Sequence, residues 1–191
     1  MKKISIGDFV VGDNKKFILI AGPCVLENEK IAMDTAKYLK KLTAKLKIPF
    51  IFKASYDKAN RTSIKSYRGP GAKKGLAILE KVKGEVNIPV LSDVHRFEEI
   101  DAAAKILDVV QVPAFLCRQT DFIIEIAKKA RVINIKKGQF LAPWDVANII
   151  EKAKKAGNQN IMITERGASF GYNNLVFDIR SLPIIRIWDI R

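Results

Sequence analysis

The chain has 191 residues, of which 48% are hydrophobic, and carries a formal charge of +14. These values are typical of one soluble globular domain whose partners are anionic, such as phosphorylated metabolites, nucleic acid or an acidic membrane surface. Charged residues near the start are not typical of the apolar region of a secretory leader, so we expect none, and no apolar run reaches the roughly 18 residues of a membrane span. We therefore expect a cytoplasmic protein without a membrane partner.

The first predicted elements form a small hairpin within residues 1–12, where Ile4–Ile6 and Phe9–Val11 flank Gly7-Asp8. Six short apolar runs then follow at intervals of about 30 residues. They are too continuously apolar for strands with one wet face, so we predict a parallel sheet that is covered on both faces. The runs are Phe17–Ala21, Phe50–Phe52, Ile88–Leu91, Val109–Val112, Val132–Ile135 and Ile161–Thr164.

Stretches with helical periodicity separate these runs. In the first of them, an apolar stripe predicts that Ala32, Ala36, Leu39, Leu42 and Leu46 face the core. Pro143 suits the first turn of the last helix, and Gly157 suits the position just after its end. The predicted helices are Glu29–Leu46, Gly75–Val86, Phe97–Leu107, Asp121–Ala130 and Pro143–Ala156.

Alternating strands and helices indicate an α/β protein that is either a doubly wound sheet or a (β/α)₈ barrel. A nucleotide-binding sheet would carry GxGxxG or a Walker A loop near its first strand, and this sequence has neither. The pattern therefore favours the (β/α)₈ barrel, which normally needs about 250 residues. We predict that residues 1–191 form one incomplete barrel domain with about six of the eight units.

Positive side chains follow the ends of three different strands. Lys53, Lys136 and Arg166 would project toward one barrel mouth, and Lys58 and Arg61 lie on the adjoining loop. Barrel enzymes build their sites at this end of the strands. Clustered cations repel each other unless an anion neutralises them, so the pattern predicts a site for one or two phosphorylated ligands. The alternative for each lysine alone is an ordinary exposed side chain.

Other residues near strand ends are less informative by themselves. The single histidine, His95, cannot form a metal site alone, and a hydrogen-bonded loop residue is the simpler interpretation. Cys24 follows the first strand, and from its position alone a buried, inert thiol is the favoured interpretation. The second cysteine, Cys117, has no CxxC partner, so neither a disulfide framework nor a zinc knuckle is predicted.

Several motifs together resemble the 3-deoxy-D-manno-octulosonate 8-phosphate synthase family along nearly the whole chain. The loop Lys58-Ala59-Asn60-Arg61-Thr62-Ser63 is similar to that of the enzymes that use arabinose 5-phosphate, whereas the erythrose 4-phosphate enzymes have a KPRTS-like loop. The matching stretches are IAGPC (20–24), FKASYDKANRTS (52–63), SYRGPG (66–71), SDVH (92–95), QVPAFLCRQTD (111–121), INIKKGQFLAPWD (133–145) and TERGASFGYNNLVFDIRSLPI (164–184).

This resemblance implies a cytoplasmic transferase of lipopolysaccharide biosynthesis that condenses phosphoenolpyruvate with D-arabinose 5-phosphate, on the route to the sugar Kdo. It implies that Lys53, Lys136 and Arg166 hold phosphoenolpyruvate, beside Gln111 and the Ala114 backbone. Arabinose 5-phosphate would contact a second set, and Arg118 would reach a neighbouring subunit of a homotetramer. The second set is Lys58, Asn60, Arg61 and Thr62, and the catalytic residues expected from the resemblance are Lys53, Asp93, His95 and Lys136.

The resemblance also implies a divalent metal (Mn, Fe or Zn), because members with a cysteine in the GPC position are similar to the metal-dependent branch. Cys24 would be the metal ligand on this chain. The family continues into a seventh and an eighth strand and a loop that carry a His, a Glu and an Asp as further ligands. We therefore expect the polypeptide alone to be unstable or inactive unless another chain supplies the rest of the barrel, with both outer strands left as unpaired edges.

Three alternative functions remain open at this point. A related synthase would use another aldose phosphate, although the Ala59-Asn60-Arg61 loop disfavours it. An inactive remnant would still bind phosphoenolpyruvate or dock onto intact subunits. A nucleic-acid-binding protein is disfavoured, because the sequence has no run of five basic residues, no interleaved aromatic residues and no known binding module.

Overall fold

The computed structural model describes residues 3–12, 17–188 and 190. Strands β1 (Ile4–Ile6) and β2 (Phe9–Val11) pair antiparallel through the Gly7-Asp8 turn, as the sequence predicts. Gly7 has a φ of 54°, in the left-handed region that glycine adopts without steric cost. Residues 1 and 2 of the predicted 1–12 segment lie outside the described residues.

Six strands form one parallel sheet, and each strand pairs with the next along the chain. A doubly wound sheet would reverse its strand order, so this sequential order confirms the prediction of an incomplete barrel. Within the described residues, the two outer strands each pair on one side only. The strands are β3 (Leu19–Ala21), β4 (Phe50–Lys53), β5 (Val90–Asp93), β6 (Val109–Val112), β7 (Ile133–Lys136) and β8 (Ile161–Thr164).

Helices connect successive strands on the outer face of the sheet, close to the predicted bounds. The predicted helix 143–156 divides into a 3₁₀ turn, Pro143–Asp145, and a following α-helix. None of the described helices is long and apolar enough to cross a membrane. The helices are α1 (Glu29–Leu46), α2 (Ala72–Val86), α3 (Phe97–Ile106), α4 (Thr120–Lys129), α5 (Val146–Lys155) and α6 (Ser181–Arg186), with a further 3₁₀ turn at Ala114–Leu116.

The buried stripe of α1 differs from the prediction at its C-terminal end. Ala32 and Ala36 are buried as predicted, but Leu42 and Leu46 are exposed, and Thr43 is buried instead. Both patterns satisfy an i, i+3, i+4 spacing, so periodicity alone does not separate them. Thr43 tolerates burial because its hydroxyl donates to the Leu39 carbonyl oxygen at 2.8 Å.

The two faces of the sheet bury different cores. The outer face packs against the helices in one large apolar cluster. At the N-terminal end of the inner face, alternate strand residues form a smaller cluster with the β1–β2 hairpin. This hairpin covers that end of the sheet, so the inner face is accessible from the C-terminal end. The inner cluster comprises Ile4, Ile6, Val11, Ile51, Leu91, Val109, Val132 and Met162.

Candidate phosphate-binding site

A cleft of about 450 Å³ opens at the C-terminal ends of the strands. Its volume lies within the range of about 300–1,000 Å³ of small-molecule sites. Eight residues predicted from the sequence line it and come from four strand ends and the 58–61 loop. They are Lys58, Asn60, Arg61, Asp93, His95, Ala114, Lys136 and Arg166. The structure therefore brings the predicted cations together at one rim.

Lys53 lies beside this cleft, at the end of β4. Its Nζ is 3.7 Å from Asp93 Oδ1 and donates to the Ser55 hydroxyl at 2.8 Å. Lys58 donates to the same hydroxyl oxygen at 3.0 Å. Ser55 is fully buried and holds the two ammonium groups near each other and near the Asp93 carboxylate. Sequence reasoning assigned no role to Ser55, since a lone serine after a strand carries no distinctive signal.

The charges around Asp93 and Lys53 perturb both groups. The pKa of Lys53 is lowered to about 8, chiefly by burial; Asp93 opposes this shift, and the neighbouring charges of Lys58 and Lys136 add to it. Burial alone would raise the pKa of Asp93, but the positive charges of Lys53, Lys136 and Lys58 outweigh it, so that pKa lies below its usual value. Asp93 is therefore a carboxylate at neutral pH, in a cleft with surplus positive charge.

Two pairs of adjacent charged residues lie at the C-terminal ends of β7 and β8, and the two side chains of each pair face opposite ways. Lys136 and Arg166 line the cleft. Lys137 and Glu165 are buried behind it, with side chains 1% and 3% exposed and 3.6 Å between Lys137 Nζ and Glu165 Oε1. Lys137 Nζ also donates to the carbonyl oxygens of Gly138, Leu141 and Gly167. The buried pair ties together the two loops that carry the cleft-facing cations.

His95 lies at the cleft wall between charged neighbours. Burial lowers the pKa of its imidazole, opposed by the carboxylates of Asp93 and Glu99. Its ring packs edge-on against Tyr56, with 6.2 Å between ring centroids. Glu99 Oε2 accepts from the His95 backbone N–H at 3.0 Å and from the Tyr56 hydroxyl at 2.9 Å. These contacts orient an imidazole that is neutral at pH 7 and has a buried, unpartnered Nδ1.

Gln111 lies beneath the cleft and does not line it. Its side chain, which belongs to a residue only 3% exposed, donates to Asp93 Oδ1 and accepts from Asn134 Nδ2 at 2.9 Å. The predicted direct contact of Gln111 with phosphoenolpyruvate therefore stays a prediction, and its observed contacts are to other strands. The hydrogen bonds extend further along the inner face of the sheet, because the Thr164 hydroxyl donates to Asn134 Oδ1 at 3.0 Å.

The loop after β4 brings Arg61 to the cleft by folding back on itself. Lys58 N donates to the Arg68 carbonyl oxygen at 2.7 Å, and the Arg68 guanidinium forms a two-pronged ion pair with Asp57, at 2.6 and 2.9 Å. Gly69 has a φ of 118° and lies against the Tyr56 carbonyl, where a Cβ atom would overlap the oxygen. Thr62 is exposed and is not among the residues that line the cleft.

Arg118 and Cys24 lie apart from the cleft lining. Arg118 is exposed and lines a neighbouring groove together with His95 and Asp121. Cys24 is exposed just after β3. Within the described part of the chain, no cluster of three His, Cys, Asp or Glu side chains could hold a metal ion. One thiolate does not hold a catalytic metal by itself, so these residues do not fit a metal centre on their own.

Gln139 is a further cleft residue that the sequence did not reveal. It lines the cleft beside Lys136, and its buried Oε1 has no hydrogen-bond partner. A buried amide oxygen without a donor is costly, so a ligand hydroxyl would be a favourable partner. In the sequence, Gln139 is distinguished only by its position three residues after Lys136, and such a position is too common to predict a role in the site.

Comparisons with known proteins agree with this geometry. The chain is 58% identical over 186 residues to a protein of Geotalea uraniireducens and 53% identical over 185 residues to one of Geobacter sulfurreducens, each alignment covering 97% of this chain and 68% of the relative. A protein of Francisella tularensis is 56% identical over 183 residues, which are 96% of this chain and 66% of that protein. All three are named 2-dehydro-3-deoxyphosphooctonate aldolase. A sequence model of the DAHP synthetase I family matches residues 2–187, and the chain therefore belongs to this family.

Proposed function

We propose that the protein condenses phosphoenolpyruvate with D-arabinose 5-phosphate and water, to give 3-deoxy-D-manno-octulosonate 8-phosphate and inorganic phosphate. The names of the relatives support this reaction. The observation that carries the proposal is that Lys58, Arg61, Lys136 and Arg166 line one cleft. Two substrates that each carry a phosphate would neutralise these cations.

The reaction forms one carbon–carbon bond and one carbon–oxygen bond, and it breaks the carbon–oxygen bond between C2 and the phosphate. The enol carbon C3 of phosphoenolpyruvate attacks the aldehyde carbon of the sugar, and the aldehyde oxygen takes up a proton. Water adds to the electron-poor C2, and loss of the phosphate from C2 leaves the ketone. Fixed cations hold two mutually repelling phosphates in reactive proximity, which is chiefly a positioning contribution to the rate.

The residues divide into two groups within the cleft. Lys136 and Arg166, with Lys53 beside them, would hold the carboxylate and phosphate of phosphoenolpyruvate, next to the buried Ala114. The loop after β4 would hold the sugar phosphate. Asp93, an anion between these cations, would keep Lys53 oriented toward the cleft. The sugar-phosphate group consists of Lys58, Asn60, Arg61 and Thr62.

Three further features belong to the same proposal. Cys24 would be one ligand of a divalent metal whose remaining ligands come from outside the described residues. Arg118 and exposed aromatic side chains such as Phe115 and Trp144 would lie at contacts between subunits of a homo-oligomer. The phosphorylated substrates are cytoplasmic metabolites, which supports a location in that compartment.

An assay of phosphate release tests the proposal. With the rest of the barrel supplied, we expect phosphate release that depends on arabinose 5-phosphate and exceeds that with erythrose 4-phosphate, and calorimetry should detect phosphoenolpyruvate binding with added Mn²⁺ or Zn²⁺. A preference for erythrose 4-phosphate would favour the related synthase. Phosphoenolpyruvate binding without turnover would favour a binding remnant, and a chain that binds neither substrate would contradict the proposal.

A further inference from the structure

Four side chains from consecutive strands form one hydrogen-bonded row across the inner face of the sheet. The Thr164 hydroxyl donates to Asn134 Oδ1 at 3.0 Å, and Asn134 Nδ2 donates to Gln111 Oε1 at 2.9 Å. Gln111 Nε2 then donates to Asp93 Oδ1. The row begins on β8 and ends on β5, at the carboxylate that lines the cleft.

Every bond in this row has its donor on the side away from Asp93. A flip of the Gln111 amide would place its oxygen against the Asp93 carboxylate and its NH₂ against the Asn134 NH₂, and a flip of the Asn134 amide would place its oxygen against Gln111 Oε1. Asn134 and Gln111 are only 2% and 3% exposed, so exchange of their hydrogen bonds with bulk water is prevented. Aligned bonds in a buried row also polarise one another in the same direction, toward the carboxylate.

We propose that Asn134 is a positioning residue for the cleft: it fixes the Gln111 amide with its NH₂ group toward Asp93, and so maintains Asp93 as the carboxylate opposite Lys53. The Thr164 hydroxyl supports Asn134 in turn, by donating to its amide oxygen. The effect on substrate binding rests on the proposed function, whereas the effect on Asp93 does not.

Several other charged and titratable groups face Asp93 and also influence its pKa. They are the cations Lys53, Lys58 and Lys136, together with His95 and the Tyr56 hydroxyl. None of them restrains the Gln111 amide through a hydrogen bond, and within the described residues only Asn134 donates to Gln111 Oε1. Without Asn134, Gln111 could turn its oxygen toward Asp93, which would favour the protonated carboxyl and weaken its hold on Lys53.

A carboxyl titration tests the inference without any substrate. The Asp93 side-chain carbon is followed by ¹³C NMR against pH and assigned with Asp93→Asn. We expect a higher Asp93 pKa in Asn134→Leu, a smaller rise in Thr164→Val, and no change in Thr164→Ser, which keeps the hydroxyl. If Asn134→Leu does not fold, Thr164→Val and Thr164→Ser provide the same comparison.

A matched control separates positioning from stability. Asn158 is also buried and donates to the Ala127 and Ala130 carbonyl oxygens, on the outer side of the sheet. Asn158→Leu should lower the thermal midpoint but leave the Asp93 titration unchanged. Calorimetry on the same samples should show a roughly tenfold loss of phosphoenolpyruvate affinity in Asn134→Leu only.

The outcomes are distinguishable. An Asp93 titration in Asn134→Leu that matches the unmodified protein overturns the inference, as does an equal change in Asn158→Leu. A protein that does not bind phosphoenolpyruvate contradicts the proposed function, and the titration still decides whether Asn134 controls Asp93.

Discussion

The inner face of the sheet has two ends with opposite chemistry, built by the same alternation of side chains. At the N-terminal end, Ile51, Leu91 and Val109 pack under the β1–β2 hairpin. Two residues further along the strands, the inward positions hold Lys53, Asp93 and Gln111 instead. The difference indicates that the two ends of each strand have different roles. The N-terminal end buries apolar side chains, and the C-terminal end positions the charged and polar side chains of the cleft. Substitutions at the two ends should therefore affect different measurements.

We expect the greatest loss of stability from a substitution of Lys137, a charged residue at the C-terminal end of the strands that does not face the cleft. Lys137→Met removes the partner of the buried Glu165 and the donor to three loop carbonyl oxygens. Breaking a buried ion pair by removing one partner costs about 3–5 kcal/mol. We expect the free energy of unfolding, measured with urea, to fall by about this amount.

The double variant Lys137→Met/Glu165→Gln is the matched control. It removes the unpaired carboxylate, so it should recover part of the lost stability. If the single variant is as stable as the unmodified protein, the buried pair does not stabilise these loops.

Leu91→Ala should disrupt the apolar packing at the N-terminal end of the sheet and leave the cleft unchanged. Leu91 is fully buried in the inner cluster, and truncation of such a leucine costs about 2–5 kcal/mol. We expect a lower urea midpoint but an unchanged dissociation constant for phosphoenolpyruvate in the folded protein. A large loss of affinity at matched folded fraction would mean that the two ends are not independent.

Lys53→Met should mainly weaken phosphoenolpyruvate binding, in contrast to Leu91→Ala, which should mainly lower stability. It removes a cation beside the cleft, and a hydrogen bond to a charged group contributes about 1.5–3 kcal/mol. We expect phosphoenolpyruvate affinity to fall roughly tenfold to a hundredfold in calorimetry. Lys41→Met, at an exposed position on α1, is the control and should bind normally. Equal phosphoenolpyruvate affinities in the two variants would show that Lys53 does not contribute to binding.

The smallest effect is a pH dependence from Lys53. Its pKa of about 8 lies below the ordinary value of 10.5, so the folded chain releases this proton first. Between these values the unfolded chain binds more protons, and this group's contribution to stability rises with pH. Affinity for phosphoenolpyruvate should instead fall above about pH 8, because the cation is lost while the ligand phosphate, with a second pKa of about 6, stays ionised.

Proton uptake on binding measures this effect directly. An anion beside Lys53 raises its pKa, so calorimetry near pH 8 in two buffers of different ionisation enthalpy should reveal net uptake. Binding without proton uptake, and with constant affinity from about pH 7 to 9, would contradict the Lys53 assignment.

Much of the fold could be predicted because the apolar runs and helical stripes are strong local signals. The bounds of α1, β6 and β8 agree with the predicted bounds at both ends. Helix α6 was not predicted, since six residues that include Pro183 carry little periodic signal. The strand predicted at Ile88–Leu91 is observed at Val90–Asp93, after Pro89, which has no N–H to donate to a ladder.

Only those site residues that lie at the ends of strands could be predicted from the sequence. The gathering of Lys136 and Arg166 follows from the parallel sheet, because the C-terminal ends of all strands lie at one edge. Which of two adjacent lysines faces the cleft depends on the phase of the strand, and the pair Lys136-Lys137 gives no indication of it. The row through Asn134 depends on the stagger between strands, which one sequence does not encode in any local pattern.

A crystal structure with bound phosphoenolpyruvate would show whether the cations at the strand ends hold this ligand. We expect a ligand in the cleft whose phosphate and carboxylate lie within hydrogen-bond distance of Lys136 and Arg166. Phosphoenolpyruvate bound at another surface, with these two side chains pointing apart into solvent, would contradict it.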